Sequence, residues 1–436
     1  MGSTCGHKNL LLHPSSHAEA AGYIQPDASK RVAATTTSGR ISKAAQKAES
    51  VPLSSVFPAP LVLPGDSLDY DPKEPGQTVR AWVQMKTRNE VTSRRKTIYV
   101  VAPPSSNDST LSRQLEKWTQ PKTGKEGTLK VNGPSTQHIV EYLQAFYSGM
   151  SVKRLDNFFE FTTWDDKPSS KADAPDFMGL IVKNEVVRIR TRSCPDNMFE
   201  RQLNLNDLLD ACITALPADA FSMVLLTDQD LYEDEEDDFC CGRAYGGSRV
   251  SVVSSARYHP LLDQRQSVER LHAWPASHCA DYVKACCSEA TGKKASKKRR
   301  IDPSQMAKEL DVDSAMQAAV LAYKSGPSLL SAPSQETLTG LWLGRVCRTV
   351  SHELGHCFGI GHCPYYACAM QGTASIAEDA RQPPYLCPVD LIKVLRATGA
   401  KEVDRYHALL SFCKQHQDVH LFGAFRAWIE VVLKTS

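Results

Sequence analysis

The feature that most constrains this 436-residue chain is one string, His352-Glu353-Leu354-Gly355-His356-Cys357-Phe358-Gly359-Ile360-Gly361-His362. It sits in a helical pattern that begins near Leu338, with Leu341, Trp342 and Val346 setting an apolar face. Residues four apart on a helix project from one side, so the imidazoles of His352 and His356 can bind the same zinc ion. Gly359 predicts a left-handed cap that ends the helix and turns the chain sharply, which lets His362 return as third ligand. Three histidines leave the fourth coordination position open for water, as a catalytic zinc requires. Glu353 can reach that position without filling it, the place of a general base that deprotonates water and then protonates a leaving amine. A bare His-Glu-x-x-His arises by chance; the extension through Gly359 to His362 is far more specific.

A second set of donors overlaps the first. Cys363 directly follows the third histidine, Cys368 comes after four intervening residues, and Cys387 after eighteen more, with Pro388-Val389-Asp390 behind it. The chain has 14 cysteines but is not small, and its N-terminus lacks a basic region followed by an apolar one, so a secreted disulfide scaffold fits poorly. Reduced thiols and metal ligands fit better, in the cytoplasm. The vicinal pairs Cys240-Cys241 and Cys286-Cys287 have no ligand spacing and read as thiols. A net charge of +2 gives no overall footprint for nucleic acid, and no apolar run is long enough to span a membrane.

Along the chain, residues 1–78 are rich in Ser, Ala, Thr and Pro and read as a disordered, low-complexity region, with order beginning near residue 79. Within 79–436, polar insertions are expected at about 105–127 and 285–334, the second carrying a helix over 304–323. Lys293-Lys294-Ala295-Ser296-Lys297-Lys298-Arg299-Arg300 reads as a solvated loop, and as a nuclear address in the competing reading. Six consecutive acidic residues, 233–238, read as a solvated loop. Strands are expected at 96–101, from Val152, at 177–187, 221–227 and 249–254, with helices over 135–147 and 203–216 and two or three short ones from 391 to 432. Helices alternating with strands imply an α/β (α+β) layered fold.

The His-Glu-x-x-His-x-x-Gly-x-x-His string followed by Met370 is similar to the metzincin signature. With Cys363, Cys368 and Cys387, and with Gly242-Arg243-Ala244 and Ser255-Ala256-Arg257-Tyr258, the chain resembles the archaemetzincin family of zinc metallopeptidases over roughly residues 80–410. That resemblance implies a mixed twisted sheet above a cleft, an active-site helix below it, and a smaller part after the Met-turn. It implies that Met370 is an apolar floor beneath the metal rather than a ligand. It also implies a second, structural zinc held by four cysteines, and here the chain departs, because Asp390 stands where the fourth cysteine belongs. A Cys3Asp set is chemically legitimate for zinc; the alternatives are a fourth ligand from elsewhere, for which Cys413 and His416 are poorly spaced, or a site that has lost its metal.

The expected function is therefore a zinc-dependent metallopeptidase, with Zn2+ as cofactor, Glu353 as general base and a peptide or protein as substrate. Following the resemblance, an extended peptide would pair with the strand at 249–254 near the rim of the cleft. The rivals are a non-catalytic zinc-stabilised binding protein, nuclear if residues 293–300 are an address, and a zinc amidohydrolase acting on a non-peptide amide. Glu353 favours catalysis over the first rival, since a structural zinc needs no carboxylate there.

Overall fold

The computed structural model describes residues 7, 9–41, 53–122, 131–156, 158–164, 176–290 and 314–435. They divide into two compact units, one of Thr87–Arg265 and Ser334–Gly359, the other of Met1–Lys86, Gln266–Pro333 and Ile360–Ser436. The class is the mixed α/β one expected from the sequence.

The unit 87–265/334–359 carries two five-stranded sheets. In the first, β1 (Thr97–Val101), β2 (Ser151–Leu155), β7 (Ala220–Thr227) and β10 (Val250–Ser254) run parallel in the order β2-β1-β7-β10, and β9 (Gly242–Tyr245) closes the order antiparallel to β10. β1, β7 and β10 are buried along their whole length, the continuous apolar pattern of parallel strands covered on both faces. The second sheet is β3 (Phe159–Thr163), β4 (Phe177–Val182), β5 (Glu185–Ser193), β6 (Arg201–Asn204) and β8 (Asp230–Tyr232), antiparallel except for the last pair. Helix Gln335–Cys357 packs on β10, β9 and β7 and on helix Thr136–Phe146.

Two strand expectations change in this unit. The run 177–187 is a hairpin of β4 and β5, turned at Lys183, which takes φ 59 in the left-handed region; the polar Lys183-Asn184-Glu185 that interrupts the apolar run marks the fold-back, although no glycine supplies the positive φ. β10 is an interior strand, paired with β7 on one side and β9 on the other. Both its ladders are filled, so it cannot accept a peptide as an added strand, and the terminal strand of that sheet is β9.

The other unit is helical in its described residues. After helix Pro388–Thr398, the helices Glu402–Gln415 and His420–Thr435 pack on each other, and the latter packs on Ala315–Lys324. At its centre Trp428 stacks on Tyr385 at 4.6 Å, with Phe57, Phe425 and Tyr406 around it.

The described part of residues 1–78 is folded, contrary to the disorder expected of it. Helices Ser16–Ala21 and Ala28–Ala34 are capped by the Ser15 and Asp27 side chains, and Ala18, Tyr23, Val62 and Leu68 form a buried cluster. Ser15 Oγ donates to Val62 O, 47 residues away. Each piece is too short to show a period, and its apolar residues are buried by docking on distant segments. The polar stretch at 105–127 likewise holds a helix, Ser109–Trp118, with Leu111, Leu115 and Trp118 buried. In the second insertion the helix is Ala315–Lys324; the basic run at 293–300 lies outside the described residues.

A carboxylate pair joins the N-terminal part to the rest of this unit. Glu378 Oε2 accepts from the Ser67 and Ala374 amides at 2.9 and 2.7 Å, and Asp66 pairs with Arg381. Burial pushes Glu378 up to about 8, with the Asp66 charge adding to it, and burial pushes Asp66 up to about 6 against the pull of Arg381. Both acids hold protons in the folded chain at pH values where the unfolded chain has released them. Their contribution to stability is therefore present at about pH 4 and lost as pH rises toward 8. Urea denaturation across that range should show stability falling with pH, and Glu378→Gln should flatten the slope; an unchanged slope would refute the burial of this pair.

Candidate metal centre

The helix that carries the first two histidines is fixed at several points along its length. It begins where Ser334 Oγ caps the Thr337 amide at 3.2 Å. Trp342 Nε1 donates to Ser255 O at 2.7 Å, Arg345 grips both Asp263 oxygens at 2.7 and 2.9 Å, and Thr349 Oγ1 meets the Tyr258 hydroxyl at 2.8 Å. Near its C-terminal end the Tyr147 hydroxyl donates to Ser351 O. Two of those anchors belong to the Ser255–Tyr258 stretch, whose Arg257 is fully buried against Asp230 and Asp196. Removing one member of such a buried pair leaves an uncompensated charge, typically about 3–5 kcal/mol destabilising. The stretch therefore holds the helix in place.

Nε2 of His352 and Nε2 of His356 are 3.1 Å apart, as one helical turn dictates. The helix ends at Cys357, and Gly359 takes φ 75, a conformation that a side chain would strain. His352 and His356 thus belong to the unit 87–265/334–359, and His362 follows the turn in the other. Glu353 is buried one residue after the first of them. Burial pushes the nearby Cys240 thiol up to about 12, and the charge of Glu353 adds to the effect.

His362 is held from two directions. Its Nδ1–H donates to Glu74 Oε1 at 2.8 Å, and Gly372 lies against the ring, where a Cβ would come within 3.0 Å of Nδ1. The following residue opens the cysteine cluster. Cys363 N–H donates to Met370 O at 2.8 Å, which ties the segment before the third histidine's neighbour to the turn carrying Met370, itself buried.

Cys363, Cys368, Cys387 and Asp390 are buried with one donor atom of each within 4.8 Å of the rest. Cys363 and Cys387 sulfurs are 3.4 Å apart, and Asp390 Oδ2 lies 3.3 Å from Cys368 Sγ and 3.6 Å from Cys387 Sγ. Cys387 caps helix Pro388–Thr398, so Asp390 falls in its first turn on the same side. The other Asp390 oxygen, Oδ1, accepts from Lys393 Nζ at 2.8 Å, both side chains only 1% exposed. Burial pushes Asp390 up to about 7 and Cys363 up to about 12. Three thiolates and a carboxylate cannot share a dry site against a single ammonium; a divalent cation supplies the missing charge, and the soft sulfur set suits zinc. The donor set thus fits the metal.

Spacing in the sequence picked out the two ligand sets but not Glu74, Gln77 or Lys393. Lys393 left a signal, an ion pair at i, i+3 from Asp390 on one helix face. Glu74 left none, because it is 288 residues from its partner.

Comparison with known proteins places the chain. The model of peptidase family M54 matches residues 328–396. Archaemetzincin-2 of Homo sapiens is 27% identical over 239 residues, 54% of this chain and 54% of that protein. Archaemetzincin-2 of Mus musculus is 29% identical over 241 residues, covering 54% of this chain and 55% of the relative. The chain spans about half the length of the curated relatives it matches. Among solved structures, archaemetzincin from Methanopyrus kandleri covers 70% of this chain and 97% of its own at 18% identity, with a TM-score of 0.30. Over residues 328–396 the chain is thus similar to peptidase family M54, and over about half of its length to the archaemetzincins.

Proposed function

We propose that this chain is a zinc-dependent peptidase in which His352, His356 and His362 hold the catalytic metal and Glu353 moves the proton. The observation that supports this best is the pair of imidazoles one turn apart on a single helix, with a buried carboxylate one residue after the first and a third histidine in the sequence after the Gly359 turn. When bound, zinc acts as a Lewis acid on the scissile carbonyl and brings the pKa of water near 7. The Glu353 carboxylate takes the proton that the attacking water gives up and delivers it to the departing amine. Met370, buried on its turn, serves as the apolar floor. The substrate is a peptide or protein; if it adds a strand to the first sheet, it does so at β9. Cys363, Cys368, Cys387 and Asp390 would hold a second, structural zinc, with Asp390 Oδ1 already paired with Lys393.

Glu353→Ala should keep the zinc and the fold while lowering peptide hydrolysis by roughly 10²–10⁴-fold, the usual size of a general-base contribution. His352→Ala or His356→Ala should instead lower metal occupancy. Metal analysis and cleavage of a peptide library, run on all three variants, separate the roles: zinc loss in Glu353→Ala, or unchanged zinc in the histidine variants, refutes the assignment. Activity that survives Glu353→Ala would refute the general-base role, and a zinc-loaded wild type that cleaves no peptide would return the site to a structural, binding role.

For the second site, purified protein should hold about two zinc ions, and Asp390→Ala should weaken one of them and leave the other. Because metal binding free energy is folding free energy for the segment it ties, activity should fall although Asp390 meets no substrate. Asp390→Cys should bind at least as tightly. One zinc per chain, indifferent to Asp390→Ala, would mean that the three thiols only fill the core.

We place the protein in a reduced compartment, the cytoplasm, with nuclear entry if residues 293–300 act as an address. Cys363, Cys368 and Cys387 are free thiols, and among the described residues no helix is long and apolar enough to cross a membrane. Imaging of a variant with Lys297, Lys298, Arg299 and Arg300 changed to Ala should show loss of the nuclear fraction; an unchanged distribution leaves that run a solvated loop.

A further inference from the structure

The third histidine differs from the first two in what supports it. His352 and His356 share a helix, whose hydrogen bonds fix their Cα positions. His362 lies beyond the helix, in residues that form no regular element. What holds its surroundings is the N-terminal part of the chain. Gln77 Oε1 accepts from the Gly361 amide at 3.2 Å and from Lys393 Nζ at 3.0 Å. The Tyr23 hydroxyl donates to Pro364 O at 2.6 Å, and Gln25 Nε2 donates to Tyr365 O at 2.8 Å. Four side chains from residues 23–77 thus reach the five-residue stretch 361–365, and the fourth, Glu74, takes the imidazole itself. The segment is held in turn: Glu74 N–H donates to Asp71 O at 3.2 Å, and Thr78 caps the helix that follows.

We propose that Glu74 is a positioning residue for the third metal ligand, fixing the ring of His362 and its tautomer through the Nδ1–H···Oε1 hydrogen bond. The inference rests on the reading of His362 as a zinc ligand. A carboxylate can only accept, so the ring nitrogen facing Glu74 must carry the proton. The lone pair then sits on Nε2, the ring nitrogen that does not face Glu74 and that would meet the metal. Gly372 has no side chain and so leaves room for the ring beside Nδ1, where a Cβ would crowd it at 3.0 Å. A partner of this kind orients a ligating histidine and raises its basicity, and its loss typically costs 10–100-fold in metal affinity. The 1–78 region is on this account part of the metal site.

The test uses the full chain and two readouts. In metal-free protein, nitrogen-15 shifts of His362, assigned by comparison with His362→Ala, should report the Nδ1–H tautomer; Glu74→Ala should shift the ring toward Nε2–H or a mixture. Competition with a chromophoric chelator should show zinc affinity at the histidine site reduced by about 10–100-fold in Glu74→Ala, with Glu74→Gln, which still offers an acceptor oxygen, falling between. A wild-type His362 found as Nε2–H overturns the proposal without any variant, as does a folded Glu74→Ala whose affinity and tautomer match wild type. If zinc affinity is unmoved by His362→Ala, the three-histidine reading itself falls, a result distinct from failure at Glu74 alone.

Discussion

Two imidazoles one turn apart on a helix offer a metal only half of what a catalytic site needs, and the helix cannot offer a third from the same face without burying the open position. The third donor must come from outside the helix, after the chain has reversed. In this protein the reversal occupies the few residues after Cys357 and depends on Gly359 taking φ 75. Much of the surrounding structure follows from that demand. The helix before the turn must be rigid, which the buried ties from Tyr147, Tyr258 and Asp263 provide. The segment after it has no hydrogen-bonded regularity, so its position must come from elsewhere.

That position comes from two sources that meet at Gln77 and Lys393. One is the cysteine cluster, which begins at the residue after His362 and draws in residues 368, 387 and 390. The other is the N-terminal part, which reaches residues 361–365 through Tyr23, Gln25, Glu74 and Gln77. Lys393 joins them, donating to Asp390 on one side and to Gln77 on the other. A fully buried ammonium is costly unless it is paired, and here its pairing partner is Asp390, the carboxylate beside three buried thiols. The substitution at residue 390 and the lysine at 393 therefore make sense as one unit: a carboxylate with two oxygens can face sulfur with one and a cation with the other, which a thiolate cannot do.

The site was legible in the sequence where its residues are close along the chain. Helical spacing, a glycine stop and a third histidine lie within eleven residues, and local backbone geometry is enough to bring them together. The same holds for the strands buried on both faces, such as β7, whose unbroken apolar run announces itself. Illegible were the places where the deciding interaction is long-range. Residues 177–187 read as one strand although the polar Lys183-Asn184-Glu185 breaks the run, because the turn has no glycine and Lys183 adopts a conformation that its type seldom does. Residues 249–254 read correctly as a strand, but which edges are filled depends on β7 and β9, not on the strand's own composition.

The N-terminal part shows the division most clearly. Its composition, poor in periodic apolar residues, pointed to disorder, and its short helices would indeed be marginal alone. By itself the sequence determined the class of fold, the ligand types and their order, because those follow from spacing and side-chain chemistry. Tertiary structure decided which carboxylate stands behind His362 and which cation balances Asp390. Those partners are separated by hundreds of residues in the first case and by a shared burial in the second. The first leaves no local pattern; in the second the i, i+3 spacing shows that Asp390 and Lys393 can pair but not that they are buried, since that burial arises only when distant segments exclude water together.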